Sequence, residues 1–251
     1  MTDKLKVLVT GPGGRIGPHV LPLLRERFTL RLLDKNPLDG PDESIVADLS
    51  NQSVLEKAME GIDAVLHLAA TSDEAPFLEQ LVPNNVEGVY RVFEAARIMG
   101  VKRVVFASTV QTCGFNAPGT IEVTDIAHSV SMYGATKLFG EALGRFYSDR
   151  HGLEFVAVRI GWFQPYDSPA LRTSQGVHSL WLSPNDAAEI FARCLEIPGL
   201  KNEILFATSK TKEERLSRKP LKELLNYEPQ DDVTQISPDP KKAIDKTGKQ
   251  G

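Results

Sequence analysis

Cysteine is scarce: the chain of 251 residues has two, Cys113 and Cys194. They stand far apart and match no metal-ligand spacing, so no metal site is expected, and a reducing, cytoplasmic setting suits them. An excess of basic charge is also missing. Lys and Arg number 29 against 33 Asp and Glu, a formal net charge of −4. No basic segment is flanked by aromatic residues, so no nucleic-acid partner is expected. No apolar run approaches the roughly 20 residues that span a bilayer. Nothing at Met1 reads as a secretory leader, and no membrane partner is expected. What is present is an ordinary globular composition, 41% hydrophobic and 25% charged. The length suits one large domain, or one domain with a small lobe.

Short runs rich in Val, Leu and Ile, at 6–10, 29–34, 44–48, 64–70, 103–109 and 154–161, show little period-two alternation. Strands buried on both faces have this character. Between them lie amphipathic stretches that predict helices at 51–60, 86–99 and 132–150, the last two ending at Gly100 and near Gly152. This alternation predicts an α/β fold, a Rossmann-type doubly wound parallel sheet with a small C-terminal substrate lobe. The dinucleotide-binding domain is expected over 1–161, with 203–208 adding a strand. A loop-rich substrate region follows over 162–228, with helices at 184–195 and 218–225. From 229 the chain is polar, and a poorly ordered tail is expected over 229–251. Pro22 is a misfit in the expected first helix, where an interior proline costs about 3 kcal/mol.

The segment Thr10-Gly11-Pro12-Gly13-Gly14-Arg15-Ile16-Gly17 follows a predicted strand and opens a predicted helix. Glycines at 11, 14 and 17 permit the tight turn, the approach of a pyrophosphate and close helix–strand packing. The helix start, with Arg15 and Ile16, presents N–H groups and a positive dipole end to phosphates. Asp34 ends the second strand, where a carboxylate binds the adenosine ribose hydroxyls and repels a 2′-phosphate, so NAD is favoured over NADP. Arg15, Arg31 and Lys35 keep NADP open. Asp48 and Leu49, after the third strand, are candidates to flank the adenine; a plain helix cap explains Asp48 equally well.

Tyr133-Gly134-Ala135-Thr136-Lys137 puts a tyrosine and a lysine on one helix face. A lysine ammonium beside a phenol stabilises the phenolate and lowers a pKa that is ordinarily near 10. It can also hold the nicotinamide ribose, so the pair is a candidate general base for an alcohol beside a hydride acceptor. Alone, such a pair is more often a solvated helix face. Other strand ends add to it: Thr109 offers a hydroxyl to the reacting oxygen, with Ser108 as the alternative hydroxyl. His67-Leu68-Ala69-Ala70 is expected to line the nicotinamide side, with Asn85 following.

In this order, these motifs resemble the extended short-chain dehydrogenase/reductase family over roughly residues 5–230. The resemblance implies that Thr109, Tyr133 and Lys137 form the catalytic set. Cofactor contacts are expected from the glycine loop, Asp34, Asp48, Leu49, Leu68, Ala69, Ala70, Asn85 and Ile160, together with Tyr133 and Lys137. Leu32–Leu38, Ala75-Pro76-Phe77, Phe139-Gly140-Glu141 and Trp181-Leu182-Ser183 are similar to stretches of uronate dehydrogenases and allied sugar dehydrogenases. That similarity implies oxidation of an anomeric C1 hydroxyl to a lactone, on a sugar or sugar-acid substrate. Val110 and Gln111 depart from the Asn-His that uronate enzymes carry there. Ser72, Thr109 and Gln111 are the candidate substrate contacts, with Arg172 placed to pair with a carboxylate or phosphate, or else a solvated loop charge. Arg159 reads best as a structural ion pair. Family members often form homodimers through the helices at about 86–99 and 132–150. Tyr90 and Phe146 suit that contact, as they suit internal packing. An epimerase with recycled NAD and a non-catalytic dinucleotide sensor are the competing readings.

Overall fold

The computed structural model describes residues 4–114 and 119–236. Its strands are β1 (Lys6–Thr10), β2 (Thr29–Asp34), β3 (Glu43–Val46), β4 (Ala64–His67), β5 (Arg103–Thr109) and β6 (Glu154–Ile160), then a two-stranded ladder of β7 (Trp162–Phe163) and β8 (Trp181–Leu182), then β9 (Asn202–Ala207). Seven of them form one parallel sheet in the order β3-β2-β1-β4-β5-β6-β9. The order reverses between β1 and β4, which is where such sheets open a crevice at the carboxyl ends of their strands. Register sets those ends side by side: Thr10 pairs with Leu33 and His67, and Thr109 with Ile160.

Side chains along each strand alternate between two buried layers. Val7, Val9, Val105 and Val158 face α1 (Gly17–Arg27), α6 (Pro184–Glu196) and α7 (Lys219–Leu225). Leu8, Val104, Phe106 and Phe155 face α2 (Gln52–Ala58), α3 (Gly88–Ile98) and α4 (Met132–His151). A strand with both faces buried needs no polar side, which is why the sequence shows apolar runs in place of alternation. Each fully buried Val, Leu or Phe contributes roughly 1.5–3 kcal/mol. Gly140 brings α4 down onto β5, since a Cβ there would stand 2.4 Å from the Phe106 ring. That contact sets the height of α4 over the strand ends.

The structure departs from the sequence expectations at several points. β3 ends at Val46 and β4 at His67, so residues 68–70 leave the ladder. Helical structure begins earlier than 86: a wide-turn segment, Phe77–Glu87, runs directly into α3. Pro83 hides it from periodicity, and the wide turn accommodates it, with the Gly88 N–H donating to the Pro83 carbonyl. α1 runs through Pro22, which is exposed along with Pro18, so water can reach the carbonyl that loses its intrahelical donor. The expected poorly ordered tail is packed in its described part. Val233 in α8 (Val233–Ile236) is buried, and the Gln230 N–H donates to Asp186 at 2.7 Å. Residues 237–251 lie outside the described residues.

Candidate active site

A cavity of about 550 Å³ lies along the carboxyl ends of β1, β2, β4, β5 and β6. The glycine loop forms one part of its wall. Gly11 has φ +69°, and a Cβ on it would meet the Ala69 backbone at 2.4 Å, so only glycine lets the two loops close together. α1 starts at Gly17 with no side-chain cap; Pro18 has no N–H and the His19 and Val20 N–H groups turn back to the Ile16 carbonyl, so it is the positive end of the helix beside the loop that faces an incoming acceptor. Asp34, nearly buried, accepts from the Gly13 N–H at 2.9 Å and the Asn36 N–H at 3.0 Å. Its carboxylate is thus held rigidly beside the loop. Glycine loop, helix start and fixed carboxylate together fit a dinucleotide. Asp48 and Leu49 line the same end. Asp48 accepts from the Ser50 N–H at 2.8 Å, which lowers its pKa, while Asn51 caps α2.

The other end is built from β5 and α4. Ser131 caps α4 by accepting the Gly134 N–H at 2.9 Å, and its hydroxyl donates to Gln111 Oε1 at 2.5 Å. This puts Tyr133 in the first turn, lining the same cavity as Thr109, whose hydroxyl oxygen accepts the Gln111 N–H at 3.3 Å. Lys137, 1% exposed, donates to the Ala107 carbonyl at 2.8 Å and lies 5.6 Å from the centre of the Tyr133 ring. Burial brings its pKa down to about 7. Burial also raises the Tyr133 phenol above its ordinary value, with Asp73 adding to the rise and Arg15 opposing it. The expected lowering of the phenol by Lys137 is therefore not the state of this structure. Burial is the largest cause of the rise, and Asp73 and Arg15 are the charges that act on the phenol.

Of the residues singled out in the sequence, Gly11, Gly14, Arg15, Ile16, Gly17, Asp34, Asp48, Leu49, Leu68, Ala69, Ala70, Ser72, Thr109, Gln111, Tyr133, Lys137 and Ile160 all line this one cavity. Two do not. Asn85 is fully buried behind the wall, where it exchanges two hydrogen bonds with the Thr71 backbone at 2.8 and 2.9 Å and donates to Thr136 at 3.1 Å. Arg172 is exposed in α5 (Ala170–Thr173) and is absent from the lining. His67 also sits behind the wall. Its Nδ1 is 2.7 Å from Thr10 Oγ1, and burial, then Lys137, hold its pKa near 3. Ser108 gives its hydroxyl to Glu141, at 2.5 Å, and Glu141 holds Arg159 through two bonds of 2.8 and 2.9 Å. Ser108 and Thr109 both line the cavity, and the Thr109 hydroxyl is the one not donated to a buried carboxylate. Sequence reasoning missed Gly13, Asn36, Asp73 and the apolar group Trp162, Phe163, Val177 and Leu180. The glycine motif itself signals Gly13; nothing in the pattern signals the others.

A reversed parallel sheet, a glycine loop at its switch point and a Tyr-x-x-x-Lys helix facing that loop define a nicotinamide-dependent oxidoreductase of Rossmann type. A profile of the NAD dependent epimerase/dehydratase family matches residues 7–166. The chain belongs to that family, within the extended short-chain dehydrogenase/reductases. It is 31% identical to an NAD-dependent glucose-6-phosphate dehydrogenase of Haloferax volcanii, over 92% of this chain and 95% of the relative. A uronate dehydrogenase of Pseudomonas putida is 37% identical, over 81% of this chain and 76% of its own. An L-arabinose 1-dehydrogenase (NAD(P)(+)) of Haloferax volcanii is 32% identical, over 76% of this chain and 82% of its own. Among solved structures, a uronate dehydrogenase mutant from Agrobacterium tumefaciens complexed with NAD superposes with TM-score 0.82 at 29% identity, covering 94% of this chain and 91% of the other. Among the described residues, no helix is long and apolar enough to cross a membrane.

Proposed function

We propose that the chain is an NAD-dependent dehydrogenase that oxidises the anomeric C1 hydroxyl of a monosaccharide or sugar acid to a lactone. The observation that carries this is the meeting of Thr109, Tyr133 and Lys137 in the cavity that also holds the glycine loop and Asp34. Bound NAD supplies the hydride acceptor. Tyr133 takes the proton of the C1 hydroxyl as general base, and the Thr109 hydroxyl binds the same oxygen. Lys137, on the same helix face four residues on, holds the nicotinamide ribose. Asp34 favours NAD over NADP, since its fixed carboxylate repels a 2′-phosphate. The relatives' sugar substrates support a small pyranose over a larger ligand.

A homodimer in the cytoplasm belongs to the same reading. Tyr90 on α3 and Phe146 on α4 leave 49% and 51% of their surface exposed, which favours a partner helix pair over internal packing. Both cysteines are free and buried, which fits a reducing setting. The test is a panel of aldoses, uronates and sugar 6-phosphates followed at the NADH absorbance, with NAD and NADP compared. NADH formation with at least one sugar is expected. Tight NADH binding without turnover of any panel member would sink the assignment.

A further inference from the structure

An ion pair joins the glycine loop to the loop after β4. Arg15 Nη2 lies 3.0 Å from Asp73 Oδ2, and both residues line the cavity. The loop carrying Asp73 is pinned on both sides. Asn85 holds the Thr71 backbone with bonds of 2.8 and 2.9 Å, and Asn84 donates to the Thr71 hydroxyl at 2.8 Å. On the far side, Glu74 accepts the Met132 N–H at 3.0 Å, one residue before Tyr133. Asp73 itself has φ 62°, a left-handed backbone that Asp tolerates better than most residues. The two anchors fix Asp73 relative to the start of α4. The Tyr133 phenol senses both members of the pair, Asp73 raising its pKa and Arg15 lowering it.

Resting on the dehydrogenase reading above, we infer that the Tyr133 end of the cavity takes an uncharged aldose and that Asp73 is the residue that selects it. A carboxylate accepts hydrogen bonds from sugar hydroxyls through both oxygens. The same carboxylate repels the carboxylate of a uronate or the phosphoryl group of a sugar phosphate. Arg15, a cation that such an anion would seek, is already paired with Asp73 at 3.0 Å, an exposed contact that places a carboxylate beside it. Arg172, the residue expected to bind an anionic substrate, stands exposed outside the lining. Trp162 and Leu180 add apolar surface suited to the C–H face of a pyranose.

The test compares neutral aldoses with uronates and sugar 6-phosphates on the wild-type protein, on Asp73→Asn and on Asp73→Gly. Both replacements accept a left-handed backbone, so the loop keeps its path. Two quantities are read: kcat/KM with NAD, and binding of each sugar to the protein–NADH complex by calorimetry. The wild type should favour its best neutral aldose over every acidic sugar by about tenfold or more, and each variant should cut that ratio by about tenfold as Arg15 is freed. A wild type that binds or turns over an acidic sugar better overturns the inference. So do a preference unchanged in both variants and a complex that binds no aldose. Aldose-selective binding without turnover would retain the inference while defeating the dehydrogenase reading.

Discussion

At the Asp34 end of the cavity, the Gly13 and Asn36 N–H groups converge on one carboxylate, all within the first β-α-β unit. At the Tyr133 end, Ser72 comes from the loop after β4, Thr109 and Gln111 from the end of β5 and the turn that follows it, and Tyr133 from α4. The first end uses backbone donors that any sequence with the right glycines presents. The second depends on side chains whose meeting is fixed by packing, from Gly140 against Phe106 to Ser131 against Gln111. A cofactor shared across a family suits the first kind of construction. Substrates that vary within the family suit the second, because a loop can change one contact without disturbing the sheet.

Substitutions at the two ends should separate these roles. Tyr133→Phe removes the proton acceptor, and kcat should fall by about 10²–10⁴-fold. NADH affinity, read by fluorescence titration, should stay within about threefold, because general acid–base groups act on the transition state. An equal loss of affinity would place Tyr133 in cofactor binding alone. Asp34→Ala should act in the opposite sense. NAD binding should weaken by about 10-fold and the preference over NADP should shrink or reverse, since a charge-assisted hydrogen bond is worth roughly 1.5–3 kcal/mol. An unchanged NAD:NADP ratio in kcat/KM would remove Asp34 from cofactor choice.

A third prediction concerns the linkage of Lys137 to folding. Its folded pKa, lowered by burial to about 7, lies below its unfolded value, so the unfolded chain binds more protons between those two values. Stability of the dinucleotide-free protein should therefore gain from this group as pH rises above about 7 toward the ordinary lysine value of 10.5. Lys137→Met should stabilise that protein near pH 7 by roughly 1–3 kcal/mol. The gain should shrink by pH 10, as measured by urea denaturation at both pH values. A gain that is constant with pH would show that the lysine is not desolvated as described. The smallest effect is expected from Arg172→Ala. An exposed charge outside the cavity should change kcat/KM by less than about threefold for any sugar. A larger loss, confined to acidic sugars, would bring Arg172 into the site and erase the contrast drawn at Asp73.

Much of this was legible in the chain. The strands at 6–10, 29–34 and 103–109 match their observed bounds, because a strand buried on both faces is an uninterrupted apolar run. The glycine loop and Asp34 could be read because their geometry is local. Phe77–Glu87 was hidden by Pro83, since a wide helical turn has no 3.6-residue signature. Asn85 stood out for its place after β4, yet only the packed structure shows it behind the wall, bracing Thr71 and Thr136.

The sequence by itself determined the sheet, the dinucleotide-binding turn and the Tyr-x-x-x-Lys face, because each rests on spacing along a short stretch of chain. Only the tertiary structure decided which hydroxyl stays available, since Ser108 is claimed by Glu141 some thirty positions away. It also decided that Tyr133 and Lys137 are shifted by burial, and that Asp73 meets Arg15. Desolvation and ion pairing between distant residues follow from how elements pack, and no local pattern encodes them.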